Sequence, residues 1–253
     1  MKKIALITGA SSGIGEALAY LLASHGYSLI LSGRNEEKLK KIAEATHAEQ
    51  TLVADLKIPQ ERQKIVSVIH EKLPELVINN AGFGLYGDAI SLSVQEQLEM
   101  IEVDASAPLE LTLEAARAWD RAHQNGIVMN VSSAGGEQPC PGMSVYGASK
   151  AFLTHVSLAL NTELKAKGID VLVSCPGMVA TDFPTRASKK KVDVKERRMT
   201  PAYAAQQIWK QIEKREEKRV FNWQYRVGSW LGTHFLFKSL IRKLIWNRIK
   251  QRL

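Results

Sequence analysis

A short apolar run, Lys3-Ile4-Ala5-Leu6-Ile7-Thr8, leads straight into Gly9-Ala10-Ser11-Ser12-Gly13-Ile14-Gly15. From Glu16 to Ala23 apolar residues then recur at helical spacing. Strand, glycine-rich turn and helix in that order constrain the chain more than any other feature. The glycines let backbone N–H groups approach a ligand with no Cβ in the way. The helix start behind them presents unpaired N–H donors and a positive dipole end, which suits a pyrophosphate. The spacing is Gly-x-x-x-Gly-x-Gly, a variant of the better-known Gly-x-Gly-x-x-Gly dinucleotide turn. A glycine triplet alone fits any tight turn; the flanking strand and helix supply the context.

The pattern repeats along the chain. Apolar strand runs lie near 3–8, 28–32, 51–54, 76–79, 127–132, 170–175 and 219–222, with helical patterns near 13–25, 36–46, 60–72, 94–122, 146–167 and 201–215. Such alternation predicts a parallel sheet of about seven strands with helices on both faces, a doubly wound α/β domain. A chain of 253 residues with 45% hydrophobic content can bury one such core. We place the dinucleotide-binding and catalytic domain at 1–220 and a basic, aromatic extension at 221–253. Ser93-Val94-Gln95-Glu96 reads as a capping box opening the fourth helical stretch.

The strand ends carry the candidate binding residues. In a dinucleotide fold the end of the second strand reaches the adenosine ribose, where an acid binds the 2′-hydroxyl and an arginine suits a 2′-phosphate. Ser28 to Ser32 ends in Gly33-Arg34-Asn35, so Arg34 points to NADP(H) over NAD(H). Asp55, with Leu56 beside it, follows the third strand; it reads as an acceptor for the adenine amino group or as the N-cap of the next helix. Leu76-Val77-Ile78 ends in Asn79-Asn80-Ala81-Gly82. There Asn80 can tie strands together, and Ala81 and Gly82 let the chain pass close to a cofactor.

The second half supplies chemistry. Tyr146 and Lys150 stand four residues apart, on one face of a helix. A tyrosine hydroxyl titrates near ~10, and an adjacent ammonium favours the phenolate and lowers that value. Ser133 follows the strand Ile127 to Val131. A strand-end hydroxyl, a tyrosine and a lysine can together hold a carbonyl or alcohol oxygen and move one proton.

These residues, in this order, resemble the short-chain dehydrogenase/reductase family. The resemblance rests on Thr8 to Gly15, Asp55, Asn79-Asn80-Ala81-Gly82, Ser133, Tyr146-x-x-x-Lys150 and Cys175-Pro176-Gly177 with Thr181, and covers about residues 1 to 220. It implies that Tyr146 is the proton donor or acceptor and that Ser133 orients the substrate oxygen. Lys150 lowers the tyrosine pKa and holds the nicotinamide ribose. Pro176, Gly177, Val179 and Thr181 face the nicotinamide end. Gly9, Ser11, Ser12, Gly13, Ile14 and Gly15 cradle the phosphates. One residue departs from the pattern. The family usually has asparagine on the helix after the fourth strand, in a water-linked relay to the lysine; here Met100 to Pro108 puts Asp104 there. An ionised Asp104 would favour the charged lysine and offset part of its pull on Tyr146, so we include it among the candidate catalytic residues.

Two cysteines, Cys140 and Cys175, and six scattered histidines give neither a disulfide framework nor metal-ligand spacing, so no metal is expected. The first strand begins almost at once, which fits a cytoplasmic protein without a signal peptide. From Lys218 to Leu253 there are nine Lys/Arg and no Asp/Glu, which exceeds the net charge of +8 for the whole chain. Phe237, Leu240, Ile241, Leu244 and Ile245 form one helical stripe in this tail. It can pack on its own domain or a sister subunit, or lie on an anionic membrane; nucleic acid is not expected as a partner. The charged stretch Phe183 to Arg198 corresponds to the family's mobile loop over the substrate, and reads equally as a surface excursion. The sequence therefore implies an NADP(H)-dependent oxidoreductase acting on a carbonyl or alcohol that is small or lipid-like. By the same resemblance it is a homodimer or homotetramer. The alternative is a nucleotide-binding scaffold with little turnover.

Overall fold

The computed structural model describes residues 3–188 and 199–221. Within them seven parallel strands form one sheet: β1 (Ile4–Thr8), β2 (Ser28–Gly33), β3 (Gln50–Val53), β4 (Leu76–Asn79), β5 (Gly126–Val131), β6 (Ile169–Cys175) and β7 (Lys218–Val220), in the order β3-β2-β1-β4-β5-β6-β7. The connecting helices are α1 (Gly13–Ser24), α2 (Glu36–Thr46), α3 (Pro59–Lys72), α4 (Val94–Ile101), α5 (Ala107–Ala122), α6 (Ser144–Leu164), α7 (Phe183–Ser188) and α8 (Pro201–Lys214). The expected alternation of strands and helices is borne out. The proposed amphipathic helix after Phe237, and most of the basic tail, lie outside the described residues. Among the described residues no helix is long and apolar enough to cross a membrane.

The central strands are buried on both faces, as their continuous apolar runs require. One core joins β1, β2, β4 and β5 to α3 and α5; it includes Leu6, Val77, Leu111 and Trp119, whose indole is fully buried and donates to the Pro74 carbonyl at 2.9 Å. The other holds Ile7, Leu18, Leu22, Leu31 and Ile208 between the sheet and α1, α2 and α8. A buried leucine of this kind contributes about 1.5–3 kcal/mol relative to exposure. Strand order reverses between β2-β1 and β4-β5, and a crevice opens there at the carboxyl ends of the strands.

Two local features shape the later chemistry. Ser93 caps α4 by accepting from the Glu96 N–H at 3.4 Å. The helical stretch expected over 94–122 is divided by a π-turn at Glu102–Ser106. Pro108, near the start of α5, lacks the N–H that the Asp104 carbonyl would take, and its ring crowds that carbonyl. The helix widens there, and the Ala107 N–H reaches back to Glu102.

Candidate active site

The crevice is a cleft of about 580 Å³ running from the end of β2 to the start of α6. Its floor is the glycine turn. Thr8 Oγ1 accepts from the N–H groups of Asn80 and Ala81 at 3.0 and 3.1 Å, while the Asn80 amide donates to the Thr8 and Gly9 carbonyls at 3.0 and 3.3 Å. Asn80 therefore locks β4 to β1, as its position suggested. Gly9 and Gly13 have φ of +65° and +62°, and a Cβ on Gly9 would stand 2.8 Å from the Ala81 backbone. At the start of α1 the Ser12 side chain makes no capping bond, so the first N–H groups of the helix remain unclaimed by it. Bare glycines, a fixed turn and an open helix start fit a dinucleotide's phosphates.

Of the residues singled out from sequence, Gly9, Ser11, Ser12, Gly13, Ile14, Arg34, Asp55, Leu56, Asn80, Ala81, Gly82, Ser133, Tyr146, Lys150, Pro176, Gly177, Val179 and Thr181 line this cleft. Two others stand behind it. Gly15 faces the turn instead: its bare Cα packs on the Gly9 carbonyl, where a Cβ would come within 2.3 Å. Asp104 is fully buried below Gly82. Asp55 is not the helix cap, since Ile58 precedes α3 without a side-chain bond; Asp55 Oδ1 accepts from the Lys57 N–H at 3.0 Å. Its Oδ2 lies 3.9 Å from Arg34, which is more than half exposed. Lys38 joins Arg34 at this end of the cleft. It was legible in the sequence as a cation four residues on, at the third position of a helix capped by Asn35.

The reactive end is built by β5 and α6. Asn130 donates to Ser157 at 2.9 Å, and Ser132 Oγ bonds both the Lys150 carbonyl and Thr154, each at 2.8 Å. These buried bonds fix the middle turns of α6 against the end of β5. Ser133, one residue further, stands beside Tyr146 over the bare Cα of Gly135 and accepts from the Gly135 N–H at 3.0 Å. Lys150 Nζ donates to the Val131 carbonyl at 3.2 Å and pairs with Asp104 Oδ1 at 3.8 Å. Ser133, Tyr146 and Lys150 are thus brought together.

The electrostatics differ from those expected of a lysine beside a tyrosine. Burial first, and the Asp104 carboxylate second, push the Tyr146 phenol above its ordinary range, with the Ser133 hydroxyl opposing them. The lysine's charge is directed largely at Asp104 and the Val131 carbonyl. Asp104 itself is raised to about 6: burial drives it up, against the Lys150 charge and the Phe83 N–H that bonds Oδ1 at 3.1 Å. Its Oδ2 is shielded and has no hydrogen-bond partner.

The outer wall is largely apolar, with Arg186 at its edge. Phe83, Tyr86, Met143, Phe183 and Pro184 line it, and the Phe183 ring lies 5.4 Å from that of Tyr146. Phe183 belongs to α7, a helix that the charged composition of 183–198 did not announce. The Tyr86 N–H donates to the Ala187 carbonyl at 2.9 Å and ties α7 over the cleft. Residues 189–198 of that stretch lie outside the described residues.

The short chain dehydrogenase family model matches residues 3–192, and the chain belongs to that family. It is 33% identical over 183 residues to a protein of Staphylococcus epidermidis named an uncharacterized oxidoreductase, covering 71% of this chain and 79% of that one. It is also 33% identical over 190 residues to sulfoacetaldehyde reductase 2 of Chromohalobacter salexigens, covering 72% and 75%. Among solved structures, a short-chain dehydrogenase from Sphingobium yanoikuyae in complex with NADPH superposes with a TM-score of 0.83. The two are 28% identical, and the match covers 91% of this chain and 94% of the other. The chain is therefore an oxidoreductase of the short-chain dehydrogenase family.

The Asp104 shift predicts a pH dependence of stability. A carboxyl group whose folded pKa is raised from 3.8 to about 6 stabilises the fold fully below the lower value. That contribution is lost as pH rises through the higher one. Wild type should lose stability relative to Asp104→Asn between pH 4.5 and 7, by an amount on the order of a few kcal/mol. Urea unfolding of both proteins at the two pH values checks this; a difference independent of pH would contradict it.

Proposed function

We propose that the chain is an NADP(H)-dependent oxidoreductase interconverting a carbonyl and an alcohol, with Tyr146 exchanging the proton. The observation that carries this reading is the meeting of Ser133, Tyr146 and Lys150 in the cleft that the glycine turn opens into. A nicotinamide dinucleotide held by the glycine turn, Arg34 and the Pro176-Gly177 segment would supply or take up the hydride. The chain does the rest. Ser133, whose oxygen already accepts from Gly135, directs its own hydroxyl proton at the substrate oxygen. In reduction Tyr146 donates its proton to that oxygen as negative charge develops; in oxidation the phenolate accepts it. A phenol held above its ordinary range is the weaker acid, so a nearby positive charge is needed to favour release of its proton. Lys150 holds a fixed positive charge beside the exchange.

Three further observations support parts of the reading. Arg34 and Lys38, with no acid at the end of β2, favour a ribose phosphate, and a related structure is a complex with NADPH. The relative named for sulfoacetaldehyde reduces an aldehyde by its name, which fits a small carbonyl substrate. Apolar side chains on the helices beside the site support self-association: Val94, Leu98 and Ile101 form an exposed stripe on α4, and Phe152 is exposed on α6. We propose that these two helices pair subunits into a dimer.

Tyr146→Phe should lower kcat by about 10²–10⁴-fold while leaving NADPH affinity nearly unchanged. Single-turnover oxidation of NADPH with a carbonyl panel measures this; near-full activity refutes the tyrosine role, and NADPH binding by wild type without oxidation favours a scaffold. Replacing Arg34 and Lys38 together by Ala should weaken NADPH binding by about tenfold or more. NADH binding should change little, and fluorescence titration that finds equal losses for both cofactors would refute the 2′-phosphate assignment. Leu98→Glu should shift the protein toward monomer in light scattering; an unchanged mass would exclude α4 from the interface.

A further inference from the structure

The loop between Ser133 and α6 carries one polar side chain that the chemistry above does not use. Gln138 lines the cleft, five residues after Ser133. Its Oε1 is shielded from solvent and has no hydrogen-bond partner. A buried amide oxygen left unpaired costs about 1–3 kcal/mol, so a fold that retains one inside a ligand cleft points to a ligand that completes it.

The loop holds this amide firmly. A Cβ on Gly136 would stand 2.7 Å from the Ala151 nitrogen, and one on Gly147 would stand 3.1 Å from Cys140 Cβ. Both contacts press the loop onto α6. Glu137, next to Gln138, is paired with Lys218 at 2.8 Å. Gln138 is therefore presented from a backbone clamped on either side, and the same clamp sets Ser133 and Tyr146. The cleft wall on this side is formed by Phe83, Tyr86, Met143, Phe183 and Pro184, with Arg186 and the Cys140 thiol, which burial pushes up to about 11 and so keeps neutral.

We propose that Gln138 is a specificity-determining residue, and that the substrate is a hydroxy-carbonyl compound whose hydroxyl bonds this amide while its carbonyl faces Tyr146 and Ser133. This rests on the oxidoreductase reading and deepens it. An amide offers an acceptor and a donor, and turning it by half exchanges the two. A hydroxyl matches it in either orientation, because it both donates and accepts. The neutral amide itself offers an ion no opposite charge, so the group that matches it at Gln138 is a hydroxyl. A site built to bond a substrate hydroxyl also discriminates strongly against the analogue that lacks it, because the amide is then left unpaired.

The test compares 2-hydroxyacetophenone with acetophenone as substrates of the full chain with NADPH, in wild type and Gln138→Met. Methionine keeps the length and volume of the side chain and removes both polar ends. Wild type should prefer the hydroxyketone by about tenfold or more in kcat/KM. Gln138→Met should lose most of that preference through a higher KM for the hydroxyketone. Comparing the same two ketones in both proteins cancels their intrinsic difference in electrophilicity. A preference that survives Gln138→Met overturns the proposal. If wild type reduces neither ketone, the amide's role is read from binding alone. Calorimetry with 1-phenyl-1,2-ethanediol and 1-phenylethanol, in the presence of NADP⁺, then decides the amide's role separately. Tighter binding of the diol that is lost in Gln138→Met supports it, and equal affinities overturn it.

Discussion

The site depends on a buried polar clamp between β5 and α6. Asn130 and Ser132 project from the end of an apolar strand and bond Ser157, Thr154 and the Lys150 carbonyl inside the core. Each bond contributes only about 0.5–1.5 kcal/mol net, but leaving any partner unpaired would cost more. The register of α6 against β5 is thereby specified. A slip of one residue along α6 would turn Tyr146 about 100° away from Ser133, given 3.6 residues per turn. From the clamp follow the approach of Ser133 to Tyr146, the reach of Lys150 to the Val131 carbonyl, and the loop that presents Gln138.

Asp104 is the second organising group and the most individual. The π-turn just ahead of Pro108 holds it in the core below Gly82, where its carboxylate and the Lys150 ammonium share one small volume. The bare Cα of Gly82 is needed there: a Cβ would lie 2.8 Å from Asp104 Oδ1 and 3.1 Å from Lys150 Nζ. The pair keeps an ammonium buried, at the cost of a carboxylate that burial makes reluctant to ionise. Because that carboxylate also acts on Tyr146, the protonation of a residue outside the cleft is coupled to the acidity of one inside it. A neutral asparagine could not provide this coupling.

Most of the architecture was legible because strand and helix periods differ so plainly in this chain. Buried parallel strands read as unbroken apolar runs, and Ser133, Tyr146 and Lys150 were marked by their spacing and order. What escaped detection depended on three-dimensional packing. Pro108 was visible, but its effect on the Asp104 carbonyl shows only when the helix turn is built. Gly15 looked like a ligand contact because it shares a motif with Gly9 and Gly13; in the fold it serves the packing of α1 on the turn. Phe183 lay in a charged stretch with no helical period, yet α7 forms because its Phe183 ring packs against Tyr146 and its Ala187 carbonyl accepts from Tyr86. Gln138 gave no sequence signal, since an unpaired amide is recognised only once its surroundings are known.

The central claim is that a hydroxyl, a phenol and an ammonium converge beside a nicotinamide ring. A crystal structure of the full chain with NADP⁺ tests it most directly. The account predicts the pyrophosphate over the Gly9–Gly15 turn, the adenosine ribose at Arg34, and the nicotinamide in the cleft between Tyr146 and the Pro176–Gly177 segment. A nicotinamide ring bound away from Tyr146, or a dinucleotide that leaves the glycine turn uncovered, would contradict it.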